Sequence, residues 1–211
     1  MAVQARAEET RRRLIEAAAE VLTERGYPQT TLNDVAARAG VTKGALYHHF
    51  ASKQELANAV IALQFDIAAA STVAAVDRGT TAYEKLVWMS RAFAEQMRDE
   101  VVVRAGVRLT TETGARELEQ QAPYDGWIAS VTPLIAAAIA EGSFRSDLDA
   151  GVVASMLIPA YSGVQMVSDI RTGHADLLEQ VLNLWEVLLA PALVAPDRRA
   201  ELSGVPASIL S

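Results

Sequence analysis

The chain has 211 residues with no cysteine and three histidines; 51% of its residues are hydrophobic, 6% are aromatic, and its formal net charge is −7. Without cysteine it has neither disulfides nor thiol chemistry, and its three histidines do not have metal-ligand spacing, so no metal or other cofactor is expected. An alanine-rich hydrophobic fraction poor in aromatics suits closely packed helices, and the length allows a small domain beside a larger one.

Charge is unevenly spread along the chain. Residues 1–53 carry eight Lys and Arg against six Asp and Glu, a net +2, whereas residues 54–211 carry eleven against twenty, a net −9. A polyanion is therefore repelled by the second part and tolerated by the first. Met1 to Arg13 is polar and charged, unlike a signal peptide, and no apolar run is read as approaching the ~18 residues that span a bilayer. The expectation is a soluble, cytoplasmic chain with no membrane partner.

In chain order, Glu8 to Arg25 places Leu14, Ala17, Ala18, Val21 and Leu22 at helical spacing and closes at Gly26. Arg6, Arg11, Arg12 and Arg13 on this segment can reach a phosphate backbone or a minor groove, or form a solvated helix face. Thr31 is an N-cap candidate with Asp34 three residues on, a weaker capping box. Leu32, Val35, Ala36 and Ala39 then make one apolar face, and Gly40 stands where a left-handed C-cap suits glycine. Thr42 is the next N-cap. It places Lys43, Gly44 and Ala45 on the first turn of a second short helix that carries Tyr47 and His48 one turn further on.

Helix, glycine turn and second short helix make the layout of a helix-turn-helix that reads the DNA major groove. Lys43 can donate to guanine or phosphate, while Gly44 and Ala45 have no bulk to hold the backbone away from base edges. Tyr47, His48 and Lys53 can donate to phosphate oxygens, and Leu46, His49 and Phe50 are read as facing inward. Two core helices of a bundle, with Lys43 a solvated charge, remain the alternative.

Later helices are expected over Lys53 to Val76, Ala82 to Arg98, Val101 to Thr111, Pro123 to Ala140, Leu148 to Arg171 and His174 to Leu189. Breaks are expected at Gly114, Gly142 to Ser146, Gly173 and Pro191. No run of β-branched alternation is long enough for a strand, so the fold class is all-α, with the tail after Pro191 loosely held. The Leu148 and His174 helices are apolar over more of their circumference than one packed face needs. Ala154, Met156, Leu157, Ala160, Val164 and Val167 lie on one; Leu177, Leu178, Val181, Leu182, Trp185 and Leu188 on the other. They want either a second copy of the chain or a broad internal core. Gln64, Trp88, Phe93, Thr110, Trp127, Tyr161 and Gln165 are polar or aromatic groups within apolar helices, which suits a small-ligand cavity as well as ordinary core. Met89, Leu109 and Val131 complete the candidate set as apolar wall. No nucleophile with a base at a recognisable spacing and no phosphate loop is present, so an enzyme is disfavoured.

Arg6 to Ala59 resembles the N-terminal DNA-binding domain of the TetR family of transcriptional repressors. The matching residues are Thr10, Ile15, Ala17, Ala18, Gly26, Tyr27, Thr30, Thr31, Asp34, Ala36, Ala39, Gly40, Val41, Lys43, Gly44, Leu46, Tyr47, His49, Phe50, Lys53 and Leu56. The resemblance implies a DNA-binding domain over 1–52 and a ligand-binding and dimerisation domain over 53–211. It also implies a homodimer on a palindromic operator, with the Leu148 and His174 helices forming a four-helix interface with their copies.

Val3 to Val60, Val103 to Leu109, Trp127 after Pro123-Tyr124, and the helix following Asp147-Leu148-Asp149 are similar to the γ-butyrolactone receptor branch of that family. The likeness implies a repressor released by a diffusible butyrolactone, furan or butenolide, with Trp127 lining the pocket and Gln64 on the long connecting helix. Two positions depart from the branch: His48 stands where an aromatic is usual, and Val164 where a polar residue is expected. A drug or metabolite handled by an efflux pump, or no ligand at all, are the competing readings.

Overall fold

The computed structural model describes residues 2–111 and 122–211; the break expected at Gly114 lies outside them. Of these, 2–68 with 99–111 form one compact unit and 69–98 with 122–211 a second.

The first unit is built on α1 (Ala2–Gln29), which starts before the expected Glu8 and breaks its helical path at Gly26, φ 76° and ψ 165°. That backbone conformation is open to glycine and strained for other residues. Helices α2 (Leu32–Ala39) and α3 (Lys43–His49) have eight and seven residues, too few to persist alone in water, so packing must hold them. Leu14, Ala18, Val21 and Leu22 of α1 meet Val35, Ala36 and Ala39 of α2, Leu46 and Phe50 at α3, and Leu56 and Val60 of α4 (Lys53–Val76) in one buried cluster. Val102, Ala105 and Leu109 of α6 (Val101–Thr111) join the same core. At the crossing of α6 with α4, a Cβ on Gly106 would stand 2.7 Å from Gln64 Cβ, so only glycine allows this approach.

The second unit contains α5 (Ala82–Asp99), α7 (Ala122–Ala140) and α8 (Ala150–Thr172). Next come α9 (Leu177–Asn183), a π-helical turn over Leu184–Leu189, and three short helices: α10 (Ala190–Leu193), α11 (Arg199–Leu202) and α12 (Val205–Leu210). Asp149 caps α8, its carboxylate accepting the Val152 N–H at 2.9 Å, and Gly173 ends it at φ 61°. Glu141 accepts the Ala82 N–H at 3.0 Å, placing a carboxylate at the N-terminus of α5 where the helix dipole favours it. Among the described residues there is no strand, only an isolated pairing of Phe144 with Val194.

Two expectations need correction. The tail after Pro191 is not loosely held: Leu193, Val194, Leu202, Ile209 and Leu210 are buried, and α12 packs on α9 and the π turn. Main-chain bonds from Ala195 to Ser143 and from Arg145 to Leu193 tie its start down, and Arg91 of α5 donates to the Ile209 and Ser211 carbonyls. Apolar residues scattered between prolines escaped a search for long periodic helices. The expectation about apolar runs also fails, because α4 and α8 are long and apolar enough to cross a bilayer by length and composition. Helices with an apolar face on more than one side, as helix-to-helix packing requires, pass the same test.

Gly106→Ala is expected to lower stability by about 1–3 kcal/mol, the usual cost of forcing a methyl into a packed contact, read as a fall in the midpoint of thermal unfolding.

Candidate functional site

The first candidate site is the α2–α3 pair. Thr31 Oγ1 accepts the Asp34 N–H at 3.2 Å, and Asp34 Oδ2 accepts the Thr31 N–H at 3.1 Å and its hydroxyl at 2.6 Å. The capping box is therefore complete, and Thr31 spends its hydroxyl on it. The Thr31 hydroxyl first, then its backbone N–H and the Arg25 guanidinium at 3.0 Å, hold the Asp34 carboxyl below the ordinary aspartate range. Gly40 ends α2 in the left-handed conformation, φ 66° and ψ 34°, as its position suggested. Arg13 of α1 donates to the Ala39 carbonyl at 2.8 Å, satisfying one of the acceptors a helix end leaves open. Arg38 completes the fixation from α2 to α1, donating to Glu20 at 2.9 Å and to both oxygens of Glu24.

These contacts aim α3. Thr42 Oγ1 accepts the Ala45 N–H at 3.2 Å, and Leu46 with Phe50 anchors the inner face. Thr42, Lys43, Gly44, Tyr47 and His48 are exposed, while Ala45 and His49 are half-buried. No atom lies within 4 Å of where a Gly44 Cβ would stand, and Tyr47, a large aromatic, is 54% exposed. A cation, a bare backbone and three groups able to donate thus share one outward face of a short helix. The guanidinium of Arg11 sits 5.2 Å over the Phe50 ring, which brings the charge of the basic first segment to the end of α3. Lys53, expected on a phosphate, donates to the Tyr27 carbonyl at 2.9 Å and lies 4.4 Å over the Tyr27 ring. An ammonium has three donors, so this leaves room for a phosphate contact.

The effector candidates fall in both units. Gln64 (α4), Leu109 and Thr110 (α6) belong to the first. Gln64 is buried and its Oε1 has no hydrogen-bond partner, Leu109 lies in the α1 core, and Thr110 donates to the Val107 carbonyl at 2.6 Å. In the second unit, Phe93 and Tyr161 meet edge-on at 6.4 Å, with Met89 half-buried on the same α5. The Tyr161 hydroxyl donates to Ser90 Oγ and accepts from Trp185 Nε1 at 2.6 Å; Ser90 in turn donates to the Leu86 carbonyl at 2.7 Å. Burial pushes the Tyr161 hydroxyl well above the ordinary tyrosine range, so it stays a protonated donor.

On α7, Trp127 packs against Tyr124 at 5.1 Å and Val131 is buried. Gln165 is turned to His174, Oε1 to Nε2 at 3.2 Å. Trp88 lies apart from these candidates, under the Arg78 guanidinium at 4.9 Å in a cleft of about 80 Å³ shared with Arg91 and Glu95. Ser90 was missed in sequence, since a serine inside an amphipathic helix carries no signal until its partners are placed. Trp185, which helical spacing marked only as apolar, is fully buried.

Residues 14–60 match the N-terminal model of the bacterial regulatory proteins of the tetR family, and residues 80–195 match a tetracyclin repressor-like C-terminal domain. The A-factor receptor protein of Streptomyces griseus is 34% identical over 210 residues, spanning 96% of this chain and 73% of the relative. The chain belongs to the TetR family of bacterial transcriptional regulators. Among solved structures, a γ-butyrolactone receptor described as ArpA-like superposes with a TM-score of 0.78 at 31% identity, covering 97% of both chains. CprB from Streptomyces coelicolor, in complex with its biological operator sequence, reaches 0.83 at 31% identity over 98% of both. As a TetR regulator related to γ-butyrolactone receptors, the chain is a DNA-binding protein whose relatives are regulators and not enzymes.

Gly44→Leu should leave the thermal midpoint unchanged or raise it, because the site is open and leucine favours helix over glycine by roughly 0.8–1 kcal/mol; operator affinity, by fluorescence anisotropy, should fall. Lys43→Ala is expected to weaken operator binding by about 1–3 kcal/mol if the ammonium reads a base edge, with the selected sequence losing more than random DNA.

Proposed function

We propose that the chain is a cytoplasmic homodimeric repressor that leaves a palindromic operator on binding a small γ-butyrolactone-like, furan or butenolide effector. Its DNA-binding part covers residues 1–52 and its effector and dimerisation part 53–211. Thr31, Thr42, Lys43, Gly44, Ala45, Tyr47, His48 and Lys53 face or flank the DNA. Met89, Phe93, Trp127, Val131 and Tyr161 of the second unit are the proposed apolar contacts of the effector.

The observation that carries the effector reading is the buried Gln64 acceptor, left without a partner on α4. Such a group costs about 1–3 kcal/mol unless something donates to it, and a ligand hydroxyl would. Gln64 lies in the same compact unit as α3, so a ligand contact there bears directly on the unit that carries the helix-turn-helix. The effector must bind the DNA-incompetent state better, by about 1–3 kcal/mol for typical coupling.

Self-association is supported by Val152, Met156, Met166, Val167 and Ile170 on α8, with Val187 and Leu188 on the π turn, all exposed. A two-fold pairing of this face covers it and presents two recognition helices to a palindrome. The closed triad of Tyr161, Ser90 and Trp185 favours a second reading, a regulator with a filled core and no effector.

Titrating the operator complex with synthetic γ-butyrolactones, furans and butenolides separates the two readings. Release by one class, abolished in Trp127→Ala with operator binding intact, supports the effector site; loss of folding in that variant supports core. The double change Met156→Glu and Ile170→Glu is expected to give a folded monomer by sedimentation whose operator affinity falls by at least about 100-fold, since each half then binds alone.

A further inference from the structure

The segment Val103 to Leu109 stands out in the sequence, yet neither DNA contact nor the effector reading accounts for its second arginine. Arg108 Nη1 donates to the main-chain carbonyl of Thr23 on α1, 85 residues away, at 2.5 Å. Thr23 lies in the last turn before the left-handed break at Gly26. Carbonyls in a final helical turn lack donors from a following turn, and a cation there complements the helix dipole. We infer that Arg108 is a positioning residue for operator binding, acting as a C-cap supplied to α1 by α6.

The consequence follows from what this helix end supports. The chain between Gly26 and Thr31 sets the angle at which α2 leaves α1, and it is pinned at successive points. Arg108 holds the Thr23 carbonyl, Thr30 Oγ1 donates to the Gly26 carbonyl at 2.8 Å, and Lys53 holds the Tyr27 carbonyl. Arg25, two residues past Thr23, pairs with Asp34 in the capping box of α2. A change at this junction tilts α2, and α3 with it, through the glycine turn. The anchor at Thr23 comes from outside residues 14–60, which match the N-terminal family model, and from α6, which packs along α1 and buries Val102, Ala105 and Leu109 there. Residues 1–60 therefore do not by themselves hold α3 in its reading geometry.

The test uses the full chain and a duplex selected from random DNA by the wild type, with an unselected duplex of the same length as control. Arg108→Met keeps the aliphatic bulk and removes the donors. At a temperature where circular dichroism shows it folded, it should bind the selected duplex about tenfold more weakly, a loss of about 1.4 kcal/mol, and the unselected duplex as the wild type does. Its salt dependence should keep the wild-type slope, because no phosphate contact is removed. Arg108→Lys, which keeps a charged donor, should recover most of the affinity. If Arg108→Met does not fold, Arg108→Gln takes its place, its amide being too short to reach Thr23, with the same loss expected.

Wild-type affinity in a folded variant overturns the inference. So does an equal loss on both duplexes, which marks general destabilisation, or a shallower salt slope, which marks a direct phosphate contact. Because the inference rests on DNA binding, failure of the wild type to select any duplex overturns both; failure confined to the variants overturns this one alone.

Discussion

Helices of eight and seven residues do not survive in water without help, and the DNA-reading part of this protein is organised around supplying it. The help comes from α1. Its apolar side buries Val35, Ala36, Ala39, Leu46 and Phe50, and its polar side reaches α2 through Arg13, Arg25, Glu20 and Glu24. These polar pairs are exposed and individually weak. Their value is directional, since each fixes where a helix end sits, and a recognition helix misplaced by a fraction of its diameter reads nothing.

The second unit, by contrast, holds a polar cluster in its interior. Ser90, Tyr161 and Trp185 satisfy one another where water is excluded, and Tyr83 meets Trp185 and Phe144 edge-on at 5.6 and 5.8 Å. A buried network of this kind is rigid when every member is paired and costly when one is not. The outer faces of α8 and the π turn meanwhile leave methionine, valine, leucine and isoleucine in solvent, more than a monomer commonly exposes in one place. The proposed dimer and the proposed effector thus share only α8, and draw on different residues of it.

The all-α fold was legible because its helix borders carry chemical marks. Thr31 with Asp34, Gly40, Thr42 and Gly173 stand where the caps are found, and of the periodic residues of α2 Val35, Ala36 and Ala39 are buried and Leu32 half-buried. The tail after Pro191 was not legible, because its buried residues are scattered among short turns whose partners lie far back, at Ser143, Arg145 and Arg91. The same limit applied at Trp185: helical spacing marked it as apolar without distinguishing an inward face from an outward one.

Local chemistry written within four residues was available from the sequence alone: caps, glycine stops, the order of helices, the basic bias of the first 53 residues, and the motif that points to DNA. Those features depend on hydrogen bonds and periodicities between near neighbours, which the order of residues specifies directly. Only the tertiary structure decided that α6 joins the unit carrying α3, that Gly106 is needed where α6 meets Gln64, that Lys53 is engaged at Tyr27, and that Arg108 caps α1. These depend on which surfaces meet once water is expelled, and the 85 residues between Thr23 and Arg108 contain no local signal for that meeting.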